Sequence, residues 1–448
     1  MPVREFLKQH KLKEGDTVRV EQGASEFEGT IIPSAEKNLL ALKLKSGYNT
    51  LLELKDLKVK KLGEGAKVGK AEARAVEKKP GLPTISVLHT GGTIASRVDY
   101  RTGAVYSSFS PQDLLSMYPE LERIANFSPK FVANMWSDDF RFKHFEILGK
   151  AVEEEIRKGV HGIIIGMGTD NLAVASAALA FVLEDVPVPV ILVGAQRSSD
   201  RGSSDAAMNL VCAATFISKT DFAGVAICMH ETSQDDWCAI LPACKTRKLH
   251  SSRRDAFQPV NDSVIARINY NSKQIAFVKK EYLKRDSKRA LKLKPKFEEK
   301  VGLLKIHINM FPEEFGIYSK WKYKGLVIEG TGLGQTPGHV PNEWAKENAK
   351  IFPEIKQLIQ SGCVVVMTSQ CIFGRVQMHV YDKAMDLVEL GVIPGEDMLS
   401  ETAFVKLAWL LGNYPKDQTK KLIAKNLRGE ISERSSLDYS VQKMNGER

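Results

Sequence analysis

From Thr84 onward the chain repeats one pattern: a short aliphatic run, a loop of glycines with hydroxyl, acid or amide side chains, then a helical run. Ile85-Ser-Val-Leu88 ends in His89-Thr-Gly-Gly-Thr-Ile94. His161-Gly-Ile-Ile-Ile-Gly-Met167 is followed by a helical stretch of small and apolar residues, Leu172 to Leu183. Pro189-Val-Ile-Leu-Val-Gly194 leads through a polar loop into a helix beginning near Asp205. Gly224–Met229 is a further apolar strand. The pattern resumes with Gly325-Leu-Val-Ile328, a helix predicted around 342–361, and Cys363-Val-Val-Val-Met367. Strands that alternate with helices pair in parallel and are covered on both faces. The expected fold class is α/β, with two α/β units built on largely parallel sheets.

What precedes this region is different. Residues 11–60 read as short strands with turn signals between them, which predicts a small all-β barrel. About 50 residues hold little core, so docking on another surface is expected. Residues 61–83 are rich in Lys, Glu, Ala and Gly and end in Lys78-Lys-Pro-Gly-Leu-Pro83, the composition of a linker.

No stretch approaches the roughly 18 apolar residues of a membrane span, and Met1-Pro-Val-Arg-Glu-Phe6 lacks the layout of a secretory signal. A cytoplasmic protein with no membrane partner is expected. The six cysteines form no C-x-x-C pair, and neither a P-loop nor metal-ligand spacing occurs, so no bound metal or cofactor is expected. The net charge of +10 is uneven: 279–300 holds ten Lys/Arg against four Asp/Glu, and 416–425 adds four lysines. Such runs are either a solvated face or a contact for RNA or an acidic partner.

In open α/β sheets ligands bind beyond the carboxyl ends of the strands. There this sequence places Thr90-Gly-Gly-Thr93, Gly168-Thr169-Asp170 and Gln196-Arg-Ser-Ser-Asp200. Glycines let backbone approach a ligand and free amide N–H groups for a developing oxyanion. Each loop alone is weak evidence, since Thr-Asp before a helix is commonly an N-cap. A fourth segment, Lys245-Thr-Arg-Lys-Leu-His-Ser-Ser-Arg-Arg-Asp-Ala-Phe257, offers lysines near the strand ends. A threonine hydroxyl attacks only when a base takes its proton, and a lysine can do this only if its surroundings favour the neutral amine.

Three of these segments resemble the signatures of the bacterial-type L-asparaginases, in that family's order: Thr-Gly-Gly-Thr-Ile at 90–94, Gly-Met-Gly-Thr-Asp at 166–170, and Lys-x-His-x-x-x-x-Asp-Ala-Phe at 248–257. The resemblance covers roughly 84–412. It implies Thr93 as primary nucleophile and Thr169, Asp170 and Lys248 as the activating relay. The His250 and Asp255-Ala-Phe257 spacing favours Lys248 over Lys245. Gly92, Ser137, Asp138 and Gly168 are implied in substrate binding, although the family often has Gln where Asp138 stands. Tyr106 matches a lid tyrosine by its distance from Thr93. Glu329, in Glu-Gly-Thr-Gly-Leu-Gly334, resembles a loop contributed by a second copy of the chain, which implies a homodimer. Other amidase chemistries fit poorly: no cysteine stands in a Gly-x-Cys-x-Gly elbow or at position 2, and the Ser-Ser-Lys signature is missing.

The surplus segments carry a second resemblance. A small N-terminal barrel with Gly47-Tyr-Asn49, the late Pro394-Gly-Glu-Asp-Met398, and the tail Asn426-Leu-Arg-Gly-Glu-Ile-Ser-Glu-Arg434 are similar to the D subunits of archaeal glutamyl-tRNA(Gln) amidotransferases. That family implies ammonia release from glutamine or asparagine and its delivery to a larger partner, the amidotransferase's E subunit. The partner would use ATP and Mg²⁺ to amidate glutamyl-tRNA(Gln), so tRNA(Gln) is met through the complex. The expected division is a β-barrel docking domain at 1–60, a charged linker at 61–83, asparaginase-like domains at 84–278 and 301–412 joined by a basic segment at 279–300, and a basic tail at 413–448. A stand-alone cytosolic L-asparaginase and an RNA-binding scaffold with an inactive amidase fold are the alternatives.

Overall fold

The computed structural model describes residues 2–23, 25–32, 34, 38–44, 49–63, 78–91, 97–98, 105–106, 118–197 and 203–435. The N-terminal region up to Gly63 holds a helix, Val3–Gln9, and five antiparallel strands in the order Asn49–Glu53, Leu39–Leu44, Ser25–Ile32, Thr17–Gln22, Lys58–Gly63. Among the described residues no pairing joins the two edge strands, so the expected barrel is seen as an antiparallel sheet. In the strand Thr17–Gln22 Val18 and Val20 point inward, the period-2 alternation of a half-buried strand. Phe6, Leu7, Val18, Val20, Ile31, Leu40, Leu42 and Leu52 close a core to which, among the described residues, none beyond Val59 contributes. The region therefore buries more of its own apolar surface than its length suggests.

The central sheet has eight strands in the order Ile275–Phe277, Ala266–Asn269, Trp237–Pro242, Gly224–His230, Pro189–Val193, Gly162–Gly166, Thr84–His89, Asn126–Phe131. The five from Gly224–His230 to Asn126–Phe131 are parallel. The other three are antiparallel. Gly162–Gly166 and Pro189–Val193 are buried along their whole length, as strands covered on both faces must be.

The second sheet is parallel, in the order Val301–Lys305, Gly325–Gly330, Val364–Ser369, Ile393–Pro394. The helix predicted over 342–361 divides into a 3₁₀ stretch, Glu343–Lys350, and an α-helix, Ile351–Gln360. The 3₁₀ stretch buries none of its side chains, whereas the α-helix buries Ile351, Ile355 and Leu358 at helical spacing. Pro353 stands in the first turn of that helix, where its missing N–H would have had no partner.

The two α/β units share one core. Helix Leu172–Val182 is buried on nearly all sides because Ser400–Asn413, from the far end of the chain, packs against it. Phe181 and Trp409 stack there with ring centroids 5.5 Å apart. The basic run 279–300 is tied to the surface by ion pairs. Its Lys279, Lys284, Lys292 and Lys294 pair with Asp262, Asp221, Asp185 and Glu184 at 2.6–3.3 Å. Trp409 Nε1 and Asn413 Nδ2 donate to the carbonyls of Lys294 and Lys296, tying the run to the second unit.

Candidate active site

The carboxyl ends of Thr84–His89, Gly162–Gly166 and Pro189–Val193 lie side by side in the sheet, so their loops meet. Thr90 is buried, with its backbone N–H and its hydroxyl both donating to the Gly166 carbonyl at 3.1 and 3.3 Å. Met135 N–H donates to the Thr90 carbonyl at 3.1 Å, fastening the loop that carries Ser137 to the end of the first strand. Gly92 and Thr93 lie outside the described residues. The backbone of Tyr106 pairs with Arg97 in a two-residue hairpin, and its side chain lies outside the described part.

Two glycines are required by the close approach of these loops. A Cβ on Gly168 would come within 2.9 Å of Ser137 Oγ, and one on Gly194 within 2.8 Å of Thr169 Cγ2. Their absence lets the second loop seat Ser137 on one side and Thr169 on the other. Ser137 is buried, accepts the Asn171 backbone N–H at 3.3 Å and receives Asn171 Nδ2 at its carbonyl at 2.8 Å. Asp138 beside it is exposed.

The fourth segment enters as a hairpin, Thr246–Lys248 against Phe257–Pro259. Successive strand side chains face opposite ways. Arg247 reaches Glu401 of the second unit at 2.9 Å, and Lys248 reaches back over the sheet. Lys248 Nζ lies 2.9 Å from Thr169 Oγ1 and 2.8 Å from Asp170 Oδ1. Although Lys248 stands 79 and 78 residues from them in sequence, it forms one connected group with Thr169 and Asp170. Lys245 turns elsewhere, into a buried contact with Asp397 at 2.5 Å.

The sequence pattern alone assigns no role to Gln196, although it stands in the third loop. Thr169 Oγ1 donates to Gln196 Oε1 at 3.3 Å. The Gln196 and Arg197 backbone N–H groups both donate to buried Asp205 at 3.0 Å, at the start of helix Ala206–Lys219. Asn209 Nδ2 donates to the same carboxylate at 3.1 Å, and Asn209 Oδ1 meets the His230 ring at 2.6 Å. The loop holding Thr169's partner is therefore backed by a buried polar chain, which favours one fixed geometry. His89, at the end of the first strand, is fully buried, and burial lowers its pKa to about 4, partly opposed by a backbone hydrogen bond to Gly166.

Glu329 lies on the second sheet, paired with Lys305 at 3.3 Å. Cys371 is exposed, while the other five cysteines are buried. Among the described residues no group of three or more His, Cys, Asp or Glu is placed to hold a metal ion. No helix there is long and apolar enough to cross a membrane.

Known proteins resemble this chain in sequence and fold. The profile described as Asparaginase, N-terminal matches residues 84–282, that of the Glutaminase/Asparaginase C-terminal domain matches 300–423, and that of the GatD N-terminal domain matches 12–62. The D subunit of the glutamyl-tRNA(Gln) amidotransferase of Pyrococcus abyssi is 42% identical, covering 98% of this chain and 99% of its own. The chain belongs to the glutamyl-tRNA(Gln) amidotransferase D-subunit family. The Methanosarcina mazei protein of the same name is also 42% identical, over 94% of this chain and 99% of its own. Among solved structures, the thermostable L-asparaginase from Thermococcus kodakarensis superposes with a TM-score of 0.68 at 27% identity, covering 78% of this chain and 99% of that one. L-asparaginase I from Vibrio cholerae shares the fold, with a TM-score of 0.66 at 22% identity over 78% of this chain and 99% of that one. Both α/β units thus have asparaginase counterparts, and the N-terminal β region is what the D-subunit relatives add.

Proposed function

We propose that this chain is the ammonia-releasing component of a tRNA-dependent amidotransferase. It would hydrolyse the side-chain amide of glutamine or asparagine. The observation that carries the reading is the Thr169–Asp170–Lys248 group, with Lys248 Nζ 2.9 Å from the threonine hydroxyl, in a chain of the D-subunit family.

In the proposed mechanism Thr93 Oγ attacks the amide carbon. Its proton passes toward the relay and then to the departing nitrogen, so that a C–O bond forms, the C–N bond breaks and ammonia leaves. Water then cleaves the ester, returning the threonine and giving the free acid. In the ground state Lys248 Nζ donates to Thr169 while Thr169 donates to Gln196. A base must accept, so the working state is the neutral amine, with the Thr169 proton turned from Gln196 to Nζ. Asp170 orients that nitrogen. Gly92 and Gly168 supply backbone next to the reacting carbonyl. Ser137 and Asp138 hold the α-carboxylate and α-amino groups of the substrate, and Tyr106 closes over it. In a homodimer Glu329 approaches the site of the other copy.

No cofactor is needed by this chemistry. A larger E subunit would consume ATP with Mg²⁺ to activate glutamyl-tRNA(Gln) in the cytoplasm and take up the ammonia. Ammonia released into bulk water is protonated and diluted, which favours delivery between docked proteins. Ammonia release from glutamine and from asparagine should be measured with the chain alone, and again with the E subunit and glutamyl-tRNA(Gln). The proposal expects release to support Gln-tRNA(Gln) formation in the complex. Full hydrolysis by the isolated chain, unaltered by partner and tRNA, would instead identify a stand-alone asparaginase.

A further inference from the structure

Lys248 projects from a three-residue strand, and a strand that short cannot fix a side chain by its own pairing. Further support comes from the other α/β unit. Lys245, just before the strand, is buried and donates to Asp397 Oδ2 at 2.5 Å and to the Asp397 carbonyl at 3.2 Å. Arg247 pairs with Glu401 at 2.9 Å, and Thr402 Oγ1 donates to the Cys244 carbonyl at 3.0 Å. Three neighbouring features of the hairpin are thus tied to the segment running from Pro394 into helix Ser400–Asn413.

Asp397 also faces the C-terminal segment. Its Oδ1 accepts the Ser432 backbone N–H at 2.9 Å. Arg375 joins Glu396 at 2.7 Å to the Ser432 and Glu433 carbonyls at 3.3 and 3.1 Å. Asn261 Nδ2, just past the hairpin, donates to the Gly374 and Asp397 carbonyls at 2.9 and 3.3 Å. Behind this, buried Glu430 pairs with buried Lys406 at 2.6 Å, pinning the 426–435 strap to the same helix. One carboxylate, at 397, therefore sits between the strap and the base of the hairpin bearing Lys248.

We propose that Asp397 is a positioning residue for Lys248, and that through it the C-terminal strap sets the aim of the reacting lysine. The proposal rests on Lys248 acting in amide hydrolysis. It gives a physical role to two motifs, Pro394–Met398 and Asn426–Arg434, which the hydrolytic chemistry leaves unused. Misplacing a reacting group by about 1 Å can cost about 100-fold in rate without any loss of substrate contact.

The test is steady-state ammonia release by the full chain, in the complex with which it copurifies, for Asp397→Asn, Arg247→Met and Lys248→Ala. Thermal unfolding gives the folded fraction, and rates are expressed per folded molecule. Asp397→Asn is expected to lower kcat about 10- to 100-fold with KM changed less than about twofold, the split expected when aim rather than binding is lost. Arg247→Met removes a partly exposed tie and should lower kcat about 3- to 10-fold, and it decides the matter if Asp397→Asn does not fold. A merely structural role reduces the folded fraction and leaves kcat per folded molecule at the wild-type value, and that result overturns the proposal when Lys248→Ala is inactive. An active Lys248→Ala overturns the reading of the site itself.

Discussion

Two lysine–aspartate pairs lie three residues apart at the two ends of one hairpin arm, and they are opposites. The side chains of Lys245 and Asp397 are each 1% exposed, whereas Lys248 is 14% and Asp170 70% exposed. A buried pair must stay paired, because removing one partner strands a charge in a medium that solvates it poorly. A pair whose carboxylate stands open to water is screened on that side and contributes less to stability. Such a pair can change partner, as a catalytic relay requires. Burial thus separates a pair that must stay closed from one that can open, and the first serves the chemistry by holding the second in place.

The comparison breaks most sharply at Lys248. Lys248→Ala should lower ammonia release by about 10³-fold or more, the scale of losing a group that acts as one unit with others. Its unfolding free energy should change by less than about 1 kcal/mol. A large loss of stability measured by denaturant titration would place Lys248 with the buried pair. Lys245→Ala should lose about 3–5 kcal/mol, because buried Asp397 is left uncompensated, and its folded fraction should release ammonia more slowly because the tie to Asp397 is gone.

A smaller effect extends the contrast to pH. His89, next to Thr90, has a pKa of about 4 in the fold against 6.5 when exposed, with burial as the main cause. A depressed value means the unfolded chain binds more protons between those two pH values. The associated stability is therefore complete above pH 6.5 and is lost as pH falls toward 4, by about 3 kcal/mol in all. His89→Gln should flatten stability measured across that window, and an unchanged slope would show that other groups dominate it.

Much of this was legible in the sequence, for identifiable reasons. Hydrophobic runs with glycine-rich ends pointed to the parallel strands, and strand-end placement pointed to the loop holding Thr169 and Asp170, while Lys248 was implied only by the asparaginase resemblance. The spacing to His250 and Asp255 separated Lys248 from Lys245, whose side chains turn to different partners. What could not be read was who faces whom over long separations. The Lys245–Asp397 contact spans 152 residues, and no local pattern encodes it. Gln196 was visible as a loop amide, but its contact with Thr169 depends on Asp205 fixing the backbone from behind. Length alone understates the compact N-terminal core, to which the helix Val3–Gln9 adds Phe6 and Leu7.

The packing of helix Leu172–Val182 against Ser400–Asn413 restricts how such a protein can be switched. With Phe181 on Trp409 inside a continuous apolar interior, the two units cannot swing apart like jaws without exposing what holds each together. Hinge closure is thereby denied as a gate. Rearrangement of the strand-end loops, or of the strap that reaches Asp397, leaves that interior untouched.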